Sequence, residues 1–250
     1  MSSFRSFFMS SRSHALFARA AVAAIGLIVI GAASPAMGGI VFDFNSGNGG
    51  FASTLNTATF DGPWVYGAVG VGGSGGWSTD GQSAEISHAC TTDLTSPSLL
   101  VLSSGNVTLG FDHRYSFEFD GTRWDGGAVF VSLNGGAFTE VPGASFTANS
   151  YGGSVAANSA SELAGQEAFT AASPGYAGST FLTSTANLGT FAAGDSLQVR
   201  FRAAYDTNTS GGSPDWVVDN VVLSNIIPEP LTLSLLAMGS VVVLRRRRRA

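Results

Sequence analysis

The chain of 250 residues has one cysteine and no lysine, and its twelve arginines leave a formal net charge of −5. Eight arginines lie in the two end segments, so residues 39–227 hold four arginines against sixteen carboxylates, a net charge of −12. Such a body repels phosphate backbones, which excludes nucleic acid as a partner. A single cysteine, Cys90, excludes a disulfide scaffold and a thiolate zinc cluster, and we expect it to be buried.

Residues 1–38 have the pattern of a secretory signal peptide. Three arginines accompany an apolar run over residues 20–33, which is too short to span a membrane comfortably. Small residues at Ser34 and Ala36 suit signal cleavage. We therefore expect export through the Sec machinery; an N-terminal membrane anchor is the alternative.

Residues 226–250 contain three parts in tight order. Pro228, Glu229 and Pro230 come first, then an apolar stretch over residues 231–244, then a block of five arginines. An apolar helix followed by arginines is a stop-transfer pattern, although 14 helical residues reach only about 21 Å of a ~30 Å hydrocarbon core. The arginine block consists of Arg245, Arg246, Arg247, Arg248 and Arg249.

This three-part tail resembles the PEP-CTERM sorting signal of bacteria that carry exosortases and exopolysaccharide loci. The resemblance implies that an exosortase recognises the motif at Pro228, Glu229 and Pro230. It also implies transient anchoring of a transmembrane helix, removal of the tail, and delivery to the bacterial cell surface or extracellular matrix. An ordinary tail anchor with a chance Pro-Glu-Pro is the alternative.

Residues 39–225 predict an all-β domain without a convincing amphipathic helix. Apolar residues alternate with polar ones from residue 107 to 119, and residues 216–223 are apolar on both faces, as in a buried central strand. Asn134-Gly135 predicts a hairpin turn in which both residues have positive φ. Many short strands separated by turn residues indicate a jelly-roll β-sandwich, flanked by an N-terminal signal helix and a C-terminal transmembrane helix. Further strands are predicted at residues 40–44, 99–102, 128–133, 137–141 and 197–203.

Five stretches between residues 40 and 223 together resemble the jelly-roll domains of MAM-like modules and of immune-inhibitor-A-type secreted metalloproteases. They are Ser96-Pro97 before an apolar strand, residues 109–118, residues 124–132 with the turn at 134–136, residues 197–202 and residues 215–223. The resemblance implies an accessory domain that mediates adhesion or glycan contacts. No H-E-x-x-H motif of a zinc protease is present.

Calcium is the metal that this composition favours, because hard cations bind oxygen ligands and few arginines are available to pair the carboxylates. Oxygen donors alternate from Asp206 and precede a glycine, and Asp219 shares the strand face of Val217, Val221 and Leu223 by simple alternation. The MAM-like resemblance implies that Asp43 and Asp219 hold a metal together. Turn capping or pairing with arginine is the alternative for these aspartates. The candidate ligands of a structural Ca²⁺ are Asp43, Asp206, Asn208, Asp215 and Asp219.

Candidate ligand contacts are Arg114 on a polar strand face and the tryptophans Trp64 and Trp77, which flank a glycine-rich loop. Arg114, with Arg200 and Arg202, predicts either a polar groove for a sugar or carboxylate, or cross-strand ion pairs. The tryptophans predict either an exposed platform for sugar rings or core packing.

No catalytic constellation is evident. Residues 72–76 match G-x-S-x-G, but no helix is predicted after them, and His113 lies on an apolar strand face. We therefore expect a non-enzymatic, exported protein of the surface or extracellular matrix, adhesive or structural and associated with exopolysaccharide. The alternative is a carbohydrate-binding module with a defined sugar site.

Overall fold

The computed structural model describes residues 38–55, 62–80, 89–207 and 211–228. Within these ranges the regular structure consists of strands and three short 3₁₀ helices, which confirms the all-β class. None of the helices in these ranges is long and apolar enough to cross a membrane. The predicted signal peptide and the tail beyond Pro228 lie outside the described residues. The 3₁₀ helices are Val71–Gly73, Gly143–Ser145 and Tyr176–Gly178.

The strands form two seven-stranded antiparallel sheets and one small two-stranded ribbon. In chain order they are β1 (Gly39–Phe42), β2 (Ala52–Leu55), β3 (Val65–Gly67), β4 (Gly76–Thr79), β5 (Cys90–Thr95), β6 (Leu99–Val101), β7 (Gly105–Tyr115), β8 (Gly126–Leu133), β9 (Thr139–Glu140), β10 (Phe146–Ala148), β11 (Gly153–Ser154), β12 (Glu167–Ala168), β13 (Leu182–Phe191), β14 (Ser196–Tyr205), β15 (Trp216–Ser224) and β16 (Ile226–Pro228).

The order of the strands is that of a jelly roll. The first sheet runs β10-β13-β7-β15-β4-β3, with β1 also pairing β15, and the second runs β16-β6-β14-β5-β2, with β8 and β9 beyond the other edge of β14. From β7 onward the long strands alternate between the sheets: β7, β13 and β15 belong to the first, and β8, β14 and β16 to the second. This alternation is how a jelly roll places sequential strands on opposite sides of one core.

Aromatic side chains from both sheets fill the core. Trp216 of β15 is fully buried, and its ring centroid lies 5.9 Å from that of Phe201 on the second sheet and 5.3 Å from that of Trp64. Phe111 of β7 also packs edge-on against Phe201 at 5.1 Å. The predicted alternation along β7 therefore places its apolar face against the opposite sheet.

A bulge at Asn220 divides β15. The pairing of β15 with β7 shifts register between Asp219 and Val222, and Asn220 has a φ of +47°. After the bulge Val221 and Leu223 belong to the core, whereas Asp219 pairs opposite Asp112 on the outer face. The expectation that Asp219 shares a face with Val221 and Leu223 is wrong, because the extra residue inverts the alternation.

Three further expectations meet the structure directly. The Asn134-Gly135 turn is confirmed, with φ of +52° and +71°. β7 ends at Tyr115, so Phe119 lies beyond the strand and is half exposed. Ile226 is fully buried and pairs with Val101, so β16 continues the second sheet beyond residue 225.

Candidate functional site

A groove of about 410 Å³ lies over the outer face of the first sheet. Arg114 reaches it from β7, because residues 112 and 114 alternate outward where residues 111, 113 and 115 point into the core. The glycine-rich segment 68–73 forms one wall, and Ser179, Phe181 and Pro214 complete the lining. The groove thus combines a cation, an aromatic ring, a hydroxyl and exposed peptide groups.

Arg114 is held by aromatic rings and has no carboxylate partner among the described residues. Its guanidinium carbon lies 5.3 Å from the ring centroid of Tyr176 and 5.8 Å from that of Phe181. Its Nε is buried without a hydrogen-bond partner. The nearest outward acid on its own strand, Asp112, accepts hydrogen bonds from Asn220 and Thr183 instead. The rings position this cation without neutralising it.

Asp219 anchors the glycine-rich wall of the groove. Its Oδ2 accepts hydrogen bonds from the Val71 amide at 2.9 Å and from the Ser74 hydroxyl at 3.0 Å, and its Oδ1 accepts one from the Asn220 amide at 2.6 Å. A Cβ at Gly70 would lie 2.3 Å from the Gly75 carbonyl oxygen, so only glycine fits there. Three donors therefore explain how a fully buried carboxylate is tolerated at Asp219.

Arg200 and Arg202 do not contribute to this groove. Both pair with Asp93 across β14 and β5, at 3.1 Å and 2.8 Å. Of the two interpretations of these arginines, the structure confirms cross-strand ion pairing.

Of the two interpretations of Trp64 and Trp77, the structure shows core packing and not an exposed platform. Trp64 and Trp77 are 2% and 5% exposed, and their indole nitrogens donate to the carbonyl oxygens of Thr92 and Asn48. Both side chains belong to the core because β3 and β4, which flank the glycine-rich segment, extend the first sheet. Neither ring presents a face to a ligand.

Acidic side chains converge at another place, where β7 and β14 end and β8 begins. Carboxylate oxygens of Glu118, Asp125 and Asp206 lie within 4.8 Å of one another. Burial, with a smaller contribution from the neighbouring acids, raises the pKa of Asp125 to about 8 and that of Glu118 to about 7. Of these three acids, only Asp206 belongs to the set of metal ligands predicted from the sequence. The stretch that contains Asp125 predicted a jelly-roll fold and no ligand.

The remaining candidate metal ligands are dispersed. Asp43 is exposed after β1 and accepts a hydrogen bond from the Asn45 amide. Asp215 is buried and adds negative charge near Asp125. Asn208 lies outside the described residues, as do Glu229, Pro230 and the five terminal arginines; Pro228 is the last residue of β16.

His113 and Cys90 are residues of the interior. The Nδ1 of His113 accepts from the Trp216 indole at 3.2 Å and its Nε2 lies 2.8 Å from the Ser184 hydroxyl, so both ring nitrogens are occupied in the neutral form. Burial lowers the pKa of His113 to about 3. Cys90 is buried, as expected, and burial raises the pKa of its thiol to about 12. In addition, β4 and not a helix follows the G-x-S-x-G sequence at residues 72–76.

The fold and the groove define a jelly-roll β-sandwich with an outward-facing cleft. No family profile and no curated protein matches the chain. Solved structures with a similar fold include the module TmCBM61 in complex with β-1,4-galactotriose, which is 11% identical, covers 72% of this chain and 92% of its own, and has a TM-score of 0.39. The Lys-gingipain K1 adhesin domain of Porphyromonas gingivalis is 14% identical, with coverage of 74% and 97% and a TM-score of 0.42. The CBM22-1 xylan-binding domain of Paenibacillus barcinonensis Xyn10C is 9% identical, with coverage of 74% and 92% and a TM-score of 0.37.

Proposed function

We propose that the described domain is a non-catalytic carbohydrate-binding module and that its ligand lies in the groove over Arg114. The observation that carries the proposal is the guanidinium of Arg114, held by Tyr176 and Phe181 beside an open groove and left without a carboxylate partner among the described residues. The domain has a net charge of −12, yet no described carboxylate pairs with Arg114. Its N–H groups can therefore donate hydrogen bonds to a ligand in the groove.

The chemistry of the groove suits a sugar. A guanidinium donates in a planar fork to vicinal hydroxyls, and more strongly to the carboxylate of a uronic acid. The ring of Phe181 offers an apolar face for sugar C–H groups, and the Ser179 hydroxyl and the peptide groups of the glycine-rich wall add donors and acceptors. Two observations support binding over catalysis. His113 is buried, and β4, not a helix, begins at the end of the G-x-S-x-G sequence.

The test is a binding titration of the purified protein against neutral and uronate-containing polysaccharides. We expect saturable binding of at least one class, at least tenfold weaker in Arg114→Gln and unchanged in Arg123→Gln. Arg123 is the matched control because its side chain contacts the Gly152 carbonyl and the Phe119 ring, away from the residues that line the groove. Absence of saturable binding, or equal losses in both variants, would favour an adhesive or structural protein without a sugar site.

We further propose that the chain is exported and sorted through its PEP-CTERM-like tail to a bacterial surface or matrix rich in polysaccharide. The order of the Pro-Glu-Pro motif, apolar stretch and arginine block supports this proposal. β16 ends at Pro228, so removal of the residues after the motif spares every described strand. Intact-mass measurement on protein recovered from producing cells tests it: loss of the arginine block is expected, and its retention would indicate a simple anchor.

A further inference from the structure

Three carboxylates meet at one end of the sandwich although they are far apart in the sequence. Glu118 follows β7, Asp125 directly precedes β8, and Asp206 directly follows β14. One oxygen from each lies within 4.8 Å of the other two. The jelly-roll crossing between the two sheets is what brings these strand ends together.

Asp125 distinguishes this cluster from a group of surface acids, because it is buried. Its side chain is fully buried, and its Oδ1 accepts the Asp206 amide hydrogen at 2.6 Å. Its Oδ2 is buried and has no hydrogen-bond partner, and the same is true of Glu118 Oε2. A buried carboxylate oxygen without a donor costs free energy unless a proton or a cation satisfies it. No arginine of the described ranges forms an ion pair with Glu118 or Asp125.

From this geometry we propose that Glu118, Asp125 and Asp206 bind a divalent cation, and that the cation is Ca²⁺ in preference to Mg²⁺. The donors are all carboxylate oxygens, which hard cations prefer. Two oxygens on opposite sides of one Ca²⁺, at bonds of 2.3–2.6 Å, are separated by about 5 Å, so carboxylate oxygens within 4.8 Å of one another can bind the same ion. Mg²⁺ demands shorter bonds and a near-ideal octahedron.

This site replaces the ligand set expected from the sequence and keeps only Asp206 from it. Asp219 already accepts three hydrogen bonds at the groove, and Asp43 is exposed after β1. A cation held by the ends of β7 and β14 and the start of β8 joins the two sheets at one edge of the core. Its expected role is therefore structural, and it depends on residues other than those of the sugar groove.

The groups around the cluster are mostly acids. Glu118, Asp206 and Asp215 lie near enough to Asp125 for their charges to act on it, and Asp206 and Asp120 act likewise on Glu118. A divalent cation bound between these carboxylates would offset their negative charge.

The test uses terbium luminescence on the full purified chain. Tb³⁺ bound at the cluster is expected to be excited through a neighbouring aromatic side chain such as Tyr205, on which the charge of Asp125 acts. Ca²⁺ is expected to displace the Tb³⁺ with a saturable curve, more effectively than Mg²⁺. Asp125→Asn and Glu118→Gln are each expected to weaken Ca²⁺ binding at least tenfold, whereas Asp43→Asn leaves it unchanged. Glu118 is only partly buried, so Glu118→Gln serves where Asp125→Asn fails to fold.

Three results would contradict this assignment. Absence of saturable Ca²⁺ binding by the unaltered protein would overturn the proposal, and so would a loss in Asp43→Asn as large as that in Asp125→Asn. Equal displacement by Mg²⁺ would overturn the assignment of calcium. Arg114→Gln is expected to retain full Ca²⁺ binding, so failure of the sugar site and failure of the metal site are separate outcomes.

Discussion

Arg202 on β14 lies directly opposite Asp93 on β5, and its Nε and Nη2 donate to the two carboxylate oxygens of Asp93 at 2.8 and 2.9 Å. Arg200 adds a contact at 3.1 Å to the same carboxylate. Asp93 is 8% exposed, so one nearly buried acid is the shared partner of two arginines on the outer face of the second sheet, and Glu162 supplies a second carboxylate to Arg202. This arrangement leaves Arg114 as the arginine that faces a groove.

Replacing Asp93 by Asn should lower the free energy of unfolding by about 2–3 kcal/mol, because Arg200 and Arg202, whose side chains are mostly buried, lose the acid that they share. Glu162→Gln is the matched control: its carboxylate contacts Arg202 at 3.0 Å but is 51% exposed, so its loss should cost about 0.5 kcal/mol. Urea unfolding measures both. Similar values for the two variants would mean that burial of Asp93 adds nothing to the pair.

Gly127→Ala should destabilise the protein by about 1–3 kcal/mol, since a Cβ there would lie 2.4 Å from Cζ3 of the buried Trp216 ring. Gly110→Ala provides the comparison. Its Cβ would have neighbours at 3.9 and 4.0 Å, an ordinary contact, so we expect no loss and a gain of up to about 0.5 kcal/mol. Thermal unfolding distinguishes them, and equal shifts of Tm would contradict the close packing of Gly127 on Trp216.

Asp219→Asn should loosen the glycine-rich wall of the groove. An amide NH₂ in place of one carboxylate oxygen faces a donor, either the Val71 amide or the Asn220 amide, at a cost of about 1–3 kcal/mol. Amide hydrogen exchange at Val71 should accelerate, and sugar affinity should fall with it. Asp43→Asn, which removes an equal charge from an exposed position, is expected to change neither quantity. Unaltered exchange at Val71 in Asp219→Asn would argue against the anchor.

Stability without calcium should fall as pH rises from 6.5 to 8. The folded state holds the pKa of Asp125 at about 8, above its ordinary 3.8, and that of Glu118 at about 7, above its ordinary 4.5. The folded protein therefore binds more protons than the unfolded chain between about pH 4 and 8, and its free energy of unfolding declines with pH across that window.

His113 has the opposite effect but acts lower on the pH scale. Its folded pKa of about 3 lies below its ordinary 6.5, so the unfolded chain binds the extra proton, and this term weakens the fold only as pH falls below about 6.5. His113 therefore does not contribute to the decline in the free energy of unfolding between pH 6.5 and 8. Thermal melts in EDTA should show this decline for the unaltered protein, a smaller one for Asp125→Asn, and none with saturating Ca²⁺. A flat profile in EDTA would show that Asp125 ionises in the fold without penalty.

Local patterns in the sequence determined a large part of the architecture. Period-two alternation marks β7 and β14, an apolar run marks the central strand β15, and Asn134-Gly135 marks the hairpin, because each is encoded by neighbouring residues. Strands such as β4, rich in glycine and serine, lack that signal. β4 is a strand because it pairs with β15, and its Trp77 side chain is buried in the core.

The acidic body and the address-like end segments are likewise properties of the sequence itself. The partners of individual charges are not. Register between distant strands placed Asp93 opposite Arg202 and left Arg114 without a carboxylate partner among the described residues. A one-residue bulge at Asn220 put Asp219 on the face opposite to Val221 and Leu223. Crossing of the chain between sheets gathered Glu118, Asp125 and Asp206. A strand's period states which way a side chain points relative to its neighbours in sequence, but contact across strands depends on long-range pairing, which only the folded chain decides.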